Sequence, residues 1–188
     1  MTRYAAFLRA INVGGHRKIK MADLREQLAP LGFGGVDTFI QSGNVLFDAQ
    51  STDMSDLEHH IEAQLAEAFG FDVPTFVRQA ADLVTLITAT PFGAAADHVD
   101  ATVYIAFLRE APAPERMEQL QPYQSAIDTL HLAGPHLYWL RRRDLGESAI
   151  TNDRLEKALG VESTVRSTST LRKMVDKFAL SSPDQQVP

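Results

Sequence analysis

The sequence contains no cysteine, which excludes disulfides, thiol nucleophiles and thiolate-bound metals. That suits a reducing compartment, and the expected location is the cytoplasm. It also lacks a basic excess: 18 Lys+Arg against 24 Asp+Glu leave a formal net charge of −6. Proteins that coat DNA or RNA are usually basic overall, so general nucleic-acid binding is disfavoured, although a local basic site is not. No apolar run approaches the roughly 20 residues needed to span a bilayer, so no membrane partner is expected. The apolar stretch Tyr4–Leu8 is short and is broken by Arg9, unlike a signal peptide. The one tryptophan, Trp139, suits packing better than a base-stacking platform. There is no Walker A loop, dinucleotide fingerprint, nucleophile elbow or zincin motif, so no cofactor is expected and no catalytic set can be named.

What is present is a pattern that occurs twice. Ala6-Phe7-Leu8-Arg9 recurs as Ala106-Phe107-Leu108-Arg109. Val36-Asp37-Thr38-Phe39, followed by Gly43 and Leu46, recurs as Ile127-Asp128-Thr129-Leu130, followed by Gly134 and Leu137. Val77-Arg78 before Leu83 recurs as Val165-Arg166 before Leu171. The shared order points to an internal duplication. The offset is 100 at the first match and 91 at the second, so the first copy carries nine extra residues between its first two strands. That stretch holds Asn12-Val13-Gly14-Gly15-His16-Arg17-Lys18-Ile19-Lys20. Loops carry chemistry more often than the scaffolds beneath them, so this insertion is the first place to look for function.

The local patterns give an order of elements. Tyr4–Leu8 suits a buried strand, and Met21, Leu24, Leu28 and Leu31 have helical spacing that Gly32 ends. Residues 36–40 and 45–47 are strands around Gln41-Ser42-Gly43-Asn44, a hairpin signal. Ser55 and Glu58 are spaced as a capping box ahead of Leu57, Ile61, Leu65 and Phe69. Residues 73–77 form a strand, which Pro74 places at an edge. A short helix carrying Leu83 follows. The second half repeats the order, with a helix expected from Pro114 through Met117 and Leu120, and a hairpin around Gly134-Pro135. The fold class expected is α+β, with two ferredoxin-like βαββαβ halves and mostly antiparallel sheets. The expected boundaries are 1–90 and 101–180, with a linker at 91–100 and a disordered tail at 181–188.

In this fold strands 1 and 2 run the same way, so the loop leaving strand 1 and the turn leaving strand 2 share one edge. That edge would gather Arg9, Asn12, Arg17 and Lys18, the amides of Gly14 and Gly15, and the side chains of Gln41, Ser42 and Asn44. There is no acid among residues 9–20. A Gly-Gly pair frees backbone N–H groups to form an anion nest, and the helix starting near Met21 adds partial positive charge. Gly14-Gly15 and Ser42-Gly43-Asn44 can equally serve as turns, and His16–Lys20 as a solvated loop. The second copy, with Leu132-Ala133-Gly134-Pro135, keeps the hairpin and loses the polar residues. Elsewhere, Arg141-Arg142-Arg143 reads as a solvated strand end. His98, Asp97 and Asp100 have no recognised metal spacing, so no metal site is expected.

These residues also resemble a family. Tyr4 to Gly15, Met21, Leu24, Gly32-Phe33, Val36, Thr38 and Gln41-Ser42-Gly43-Asn44-Val45-Leu46-Phe47 are similar to the N-terminal signature of domain-of-unknown-function family 1697. Asn152–Gly160 is similar to its C-terminal helix segment. Two departures stand out. Ala10 stands where the family usually has glycine, and Ser167-Thr168-Ser169-Thr170 stands where it usually has Asn-Trp-Asn-Thr. The resemblance implies a bacterial-type protein with paired ferredoxin-like halves, and it implies no activity or substrate.

The leading expectation is a protein that holds a small phosphate- or carboxylate-bearing ligand, or a nucleotide, at the edge of residues 10–20 and 41–44. The alternatives are an RNA-binding module, which needs exposed aromatics on strands 1 and 3, and an interaction or assembly domain without catalysis.

Overall fold

Tyr4–Leu8 is apolar at every position, and the central strand of the first sheet forms around it. In this computed structural model, which describes residues 1–13 and 17–180, β1 (Thr2–Leu8) lies between two antiparallel partners. These are β3 (Asn44–Ala49) and β4 (Thr75–Gln79), and β2 (Gly34–Phe39) pairs outside β3. The order β2-β3-β1-β4 is that of a ferredoxin-like sheet. Helices α1 (Met21–Leu28) and α2 (Met54–Phe69) cover one face. There Leu24, Leu28, Leu57, Ile61 and Leu65 meet Tyr4, Ala6, Leu8, Val45, Phe47 and Val77. On the opposite face, Ala5, Phe7, Leu46 and Phe76 are fully buried as well. A strand buried on both faces needs apolar residues without alternation, which is the pattern of the β1 sequence.

The chain divides into two units, Met1–Leu86 with the segment from Met174, and Ile87–Lys173. The helix α3 (Ala80–Thr88) follows β4. In the second unit β5 (Ala101–Leu108), β6 (Asp128–Ala133), β7 (His136–Arg142) and β8 (Ser163–Ser167) have the order β6-β7-β5-β8. The arrangement of the first sheet is thus repeated. Its core joins Ala106, Leu108, Leu137 and Trp139 to Leu155 and Leu159 of α4 (Asn152–Leu159). Trp139 stacks on Tyr104 at 4.8 Å and donates its indole N–H to the Asp128 carboxylate at 2.7 Å. The last helix, α5 (Thr168–Phe178), ends in the first unit. There Lys177 lies 3.8 Å from Asp37 and donates to the Thr38 carbonyl.

Two local expectations are corrected. Pro114–Tyr123 is a 3₁₀ segment, not an α-helix. Pro122 inside it has no N–H to give to an α-helical ladder. The cap of α2 is Asp53, whose carboxylate accepts from the amides of Ser55 and Asp56, so Ser55 and Glu58 form no capping box. The tail expected at 181–188 lies outside the described residues.

Glu58 instead seals the sheet. β4 is an edge strand, and the outward amides of an edge strand need partners. Glu62 takes the Thr75 amide at 2.8 Å and Glu58 takes the Val77 amide at 2.7 Å. Glu58 also lies 3.8 Å from Arg78, both being almost fully buried. The second unit repeats the device, with Glu156 accepting from the Ser163 amide at 2.6 Å. Arg166, the counterpart of Arg78, donates to the Val165 carbonyl and the Thr164 hydroxyl. Desolvation lowers its guanidinium to about 10, so it stays charged at neutral pH.

Removing one partner of a buried ion pair strands the other, at a cost of about 3–5 kcal/mol. Glu58→Ala is therefore expected to destabilise the protein by about 3 kcal/mol or more in urea unfolding. Glu58→Gln, which keeps an acceptor for Val77, should lose less. A Glu58→Ala midpoint equal to that of the wild type would refute the sealing role.

Candidate functional site

β1 ends where the chain turns away from the sheet, and the loop that follows is closed by one side chain. Asn12 donates from Nδ2 to the carbonyls of Ile19 (2.9 Å) and Gln41 (2.8 Å), and its Oδ1 accepts from the Ile19 amide (2.9 Å). Its own amide donates to the Arg17 carbonyl at 3.1 Å. The loop after β1 and the turn after β2 are thus brought together. The Leu8 amide adds a bond to the Gly43 carbonyl at 2.8 Å. Ile11 and Ile19 are buried beneath the loop.

A recess of about 470 Å³ opens at this junction, lined by Asn12, Lys18, Ile19, Lys20, Met21, Asp23 and Gln41. It lies at the start of α1, whose N-cap residue, Lys20, supplies no side-chain cap. The first amides of a helix need acceptors, and α2 and α4 obtain theirs from Asp53 and Thr151. At α1 the N-cap residue supplies no such acceptor. Lys18 and Lys20 are exposed beside it, and Asp23 is the acid in its lining.

The residues named from sequence fall into groups. Asn12, Lys18 and Gln41 line the recess. Arg17 is exposed with its guanidinium 5.6 Å from the centre of the Phe71 ring. Arg9 is half-buried at the β4 side of the edge, with its amide on the Pro74 carbonyl. Ser42 is exposed in the turn, and its hydroxyl accepts from Asn44 Nδ2 at 2.9 Å. Asn44 is fully buried, and the same nitrogen also donates to the Phe39 carbonyl. Its amide nitrogen therefore builds the turn. Gly14 and Gly15, with His16, lie outside the described residues. Met21 and Asp23 were not singled out from sequence as site residues, because as helix positions they carry no motif.

The backbone here is strained. The described non-glycine residues with positive φ are Ala10 (57°), Asn12 (57°), Arg17 (49°), Ile40 (51°) and Ala179 (48°), and the first four belong to this loop and turn. For a β-branched residue such as Ile40 the left-handed region is a genuine outlier. Such strain collects where structure serves a site. Val13 and Ile40, exposed at 68% and 51%, place apolar surface in the same loop and turn.

Of the weaker candidates, Arg142 is committed to the Ala126 carbonyl at 2.9 Å. His98, Asp100 and Asp144 bring ligand atoms within 4.8 Å of one another, but His98 and Asp144 are exposed, and His98 Nδ1 accepts from the Asp100 amide.

Fold and edge together define a class: a two-unit α+β protein with ferredoxin-like sheets and an elaborated loop on the first. The chain belongs to the family described as "Protein of unknown function (DUF1697)", whose model matches residues 1–138. No curated protein matches the chain. A solved structure, that of the conserved bacterial protein SP0830 from Streptococcus pneumoniae, is similar to it with a TM-score of 0.73 at 20% identity. The match covers 93% of this chain and 97% of that one, and it shows a shared fold.

A glycine at position 10 would suit the φ of 57° that Ala10 adopts. A left-handed alanine costs roughly 1–2 kcal/mol. Ala10→Gly is thus expected to stabilise the protein by about 1 kcal/mol, raising Tm by about 2–4 °C in calorimetry. Gly43→Ala should do the opposite. At φ 73° its Cβ would stand 2.8 Å from Leu8 Cβ and 2.7 Å from Ile11 Cδ1. An unchanged Tm in both variants would mean that the edge relaxes without cost.

Proposed function

We propose that the protein binds a small anionic ligand, bearing a phosphate or carboxylate, in the recess at the start of α1. The observation that carries this reading is the α1 N-terminus. It lacks a side-chain cap and opens into a recess flanked by Lys18 and Lys20. An anion there accepts from the helix amides and meets the positive end of the helix dipole. The two ammonium groups neutralise it, and the Asn12 and Gln41 side of the recess supplies polar contact. Ser42, held by Asn44, and Arg17, over Phe71, stand in the same loop and turn as further partners. Among the described residues the lining of the recess offers no Ser, Thr or His beside a base, so the reading put forward is one of binding. The RNA alternative needs aromatic rings exposed on β1 and β3, and Phe7 and Phe47 are fully buried.

Titration calorimetry with inorganic phosphate, then with nucleotides and small carboxylates, tests this. Each exposed ionic contact is worth up to about 1 kcal/mol. Replacing both Lys18 and Lys20 by alanine should thus weaken the best-bound anion about tenfold, while leaving the unfolding midpoint in place. Equal binding by the double variant, or no anion bound by the wild type, would overturn the reading.

A further inference from the structure

A cavity of the second unit shares no residue with that recess. Its volume is about 770 Å³, within the usual range of small-molecule sites. Its walls include Ile87, Phe92 and Val103, and Arg172 of α5 and Asp97 of the Gly93–Asp97 3₁₀ turn supply opposite charges to the same lining. Neither the Arg172 guanidinium nor the Asp97 carboxylate has a hydrogen bond or ion pair with another described residue, so they do not pair with each other. Both charges are therefore free to meet a molecule that enters the cavity. Sharing one partly apolar lining, they are complementary to a molecule that carries both charges.

We propose that this cavity binds a small zwitterion with an apolar body, of the apolar α-amino acid class. The carboxylate would lie on Arg172, whose planar guanidinium suits it. The ammonium would lie on Asp97, and the apolar side chain against Phe92 and Val103. A simple anion or a simple cation would be attracted by one wall charge and repelled by the other.

The experiment is an amide-resolved NMR titration of the full chain with L-phenylalanine, 3-phenylpropionate and 2-phenylethylamine. L-phenylalanine should give saturable shifts around residues 90–97 and 168–172, half-saturating at about fivefold lower concentration than either singly charged analogue. Arg172→Gln should abolish its advantage over 2-phenylethylamine, and Asp97→Asn its advantage over 3-phenylpropionate. Arg172→Lys, which keeps the charge, should retain the preference. Both residues are exposed, so the variants keep the fold. Shifts that do not saturate, or a preference untouched by both neutral substitutions, would overturn the proposal.

Discussion

The elaborated edge of the first sheet depends on the side chain of Asn12. It offers two N–H donors and one carbonyl acceptor, and all three are engaged: two with Ile19, acting as a peptide group would across a ladder, and one with Gln41. Aspartate would turn the donors into acceptors facing two carbonyl oxygens, and alanine would leave the Ile19 amide and the Ile19 and Gln41 carbonyls without this partner. The bond to Gln41 is the step from local to tertiary structure. It joins residues 29 positions apart and converts a loop and a turn into one surface. Lys18 and Lys20 flank the recess because Ile19 between them is buried and doubly bonded.

That closure costs backbone energy, since left-handed non-glycine residues are each unfavourable by about 1–3 kcal/mol. The burial of Ile11 and Ile19, and the tight seat of Gly43 against Leu8 and Ile11, offset it. In the second unit Leu108 donates to Pro135 at 3.0 Å, as Leu8 does to Gly43. Yet no described non-glycine residue there has a positive φ. The scaffold contact needs no strain, so the strain belongs to the extra loop.

Much of this was legible in the sequence, for physical reasons that differ by element. The unbroken apolar run of Tyr4–Leu8 marks a strand buried on both faces, and Gly43 and Gly134 mark hairpins because both adopt positive φ. The proximity of loop and turn followed from strand direction alone. Side-chain roles did not follow. Asn44 and Ser42 look alike in a Gln-Ser-Gly-Asn turn, and only the register of β3 puts Asn44 inside and Ser42 outside. Glu58 has capping-box spacing from Ser55, but Asp53 starts the helix earlier and frees Glu58 to reach the edge strand. The helix expected at Pro114 failed because apolar spacing says nothing about the missing N–H of Pro122.

A comparison of the two units also bears on charge. Arg9 and Arg109 occupy matching places, donating their amides to the carbonyls of Pro74 and Glu162. In the second unit the Glu162 carboxylate lies 3.1 Å from the Arg109 guanidinium. In the first, the matching residue is proline, so that acid is gone from the edge. Residues 9–20 carry none either, and Asp23 stands against Lys18 and Lys20 in the recess. The result is a local positive field on a chain of net charge −6. Such a field acts within about 10 Å at ordinary salt, which is short compared with the protein but longer than the recess. On the proposed reading it would draw an anion to this edge, against the net negative charge of the whole chain. Local field and uncapped helix act on the same small volume, which is why the first unit, and not its repeat, is where the anion is expected.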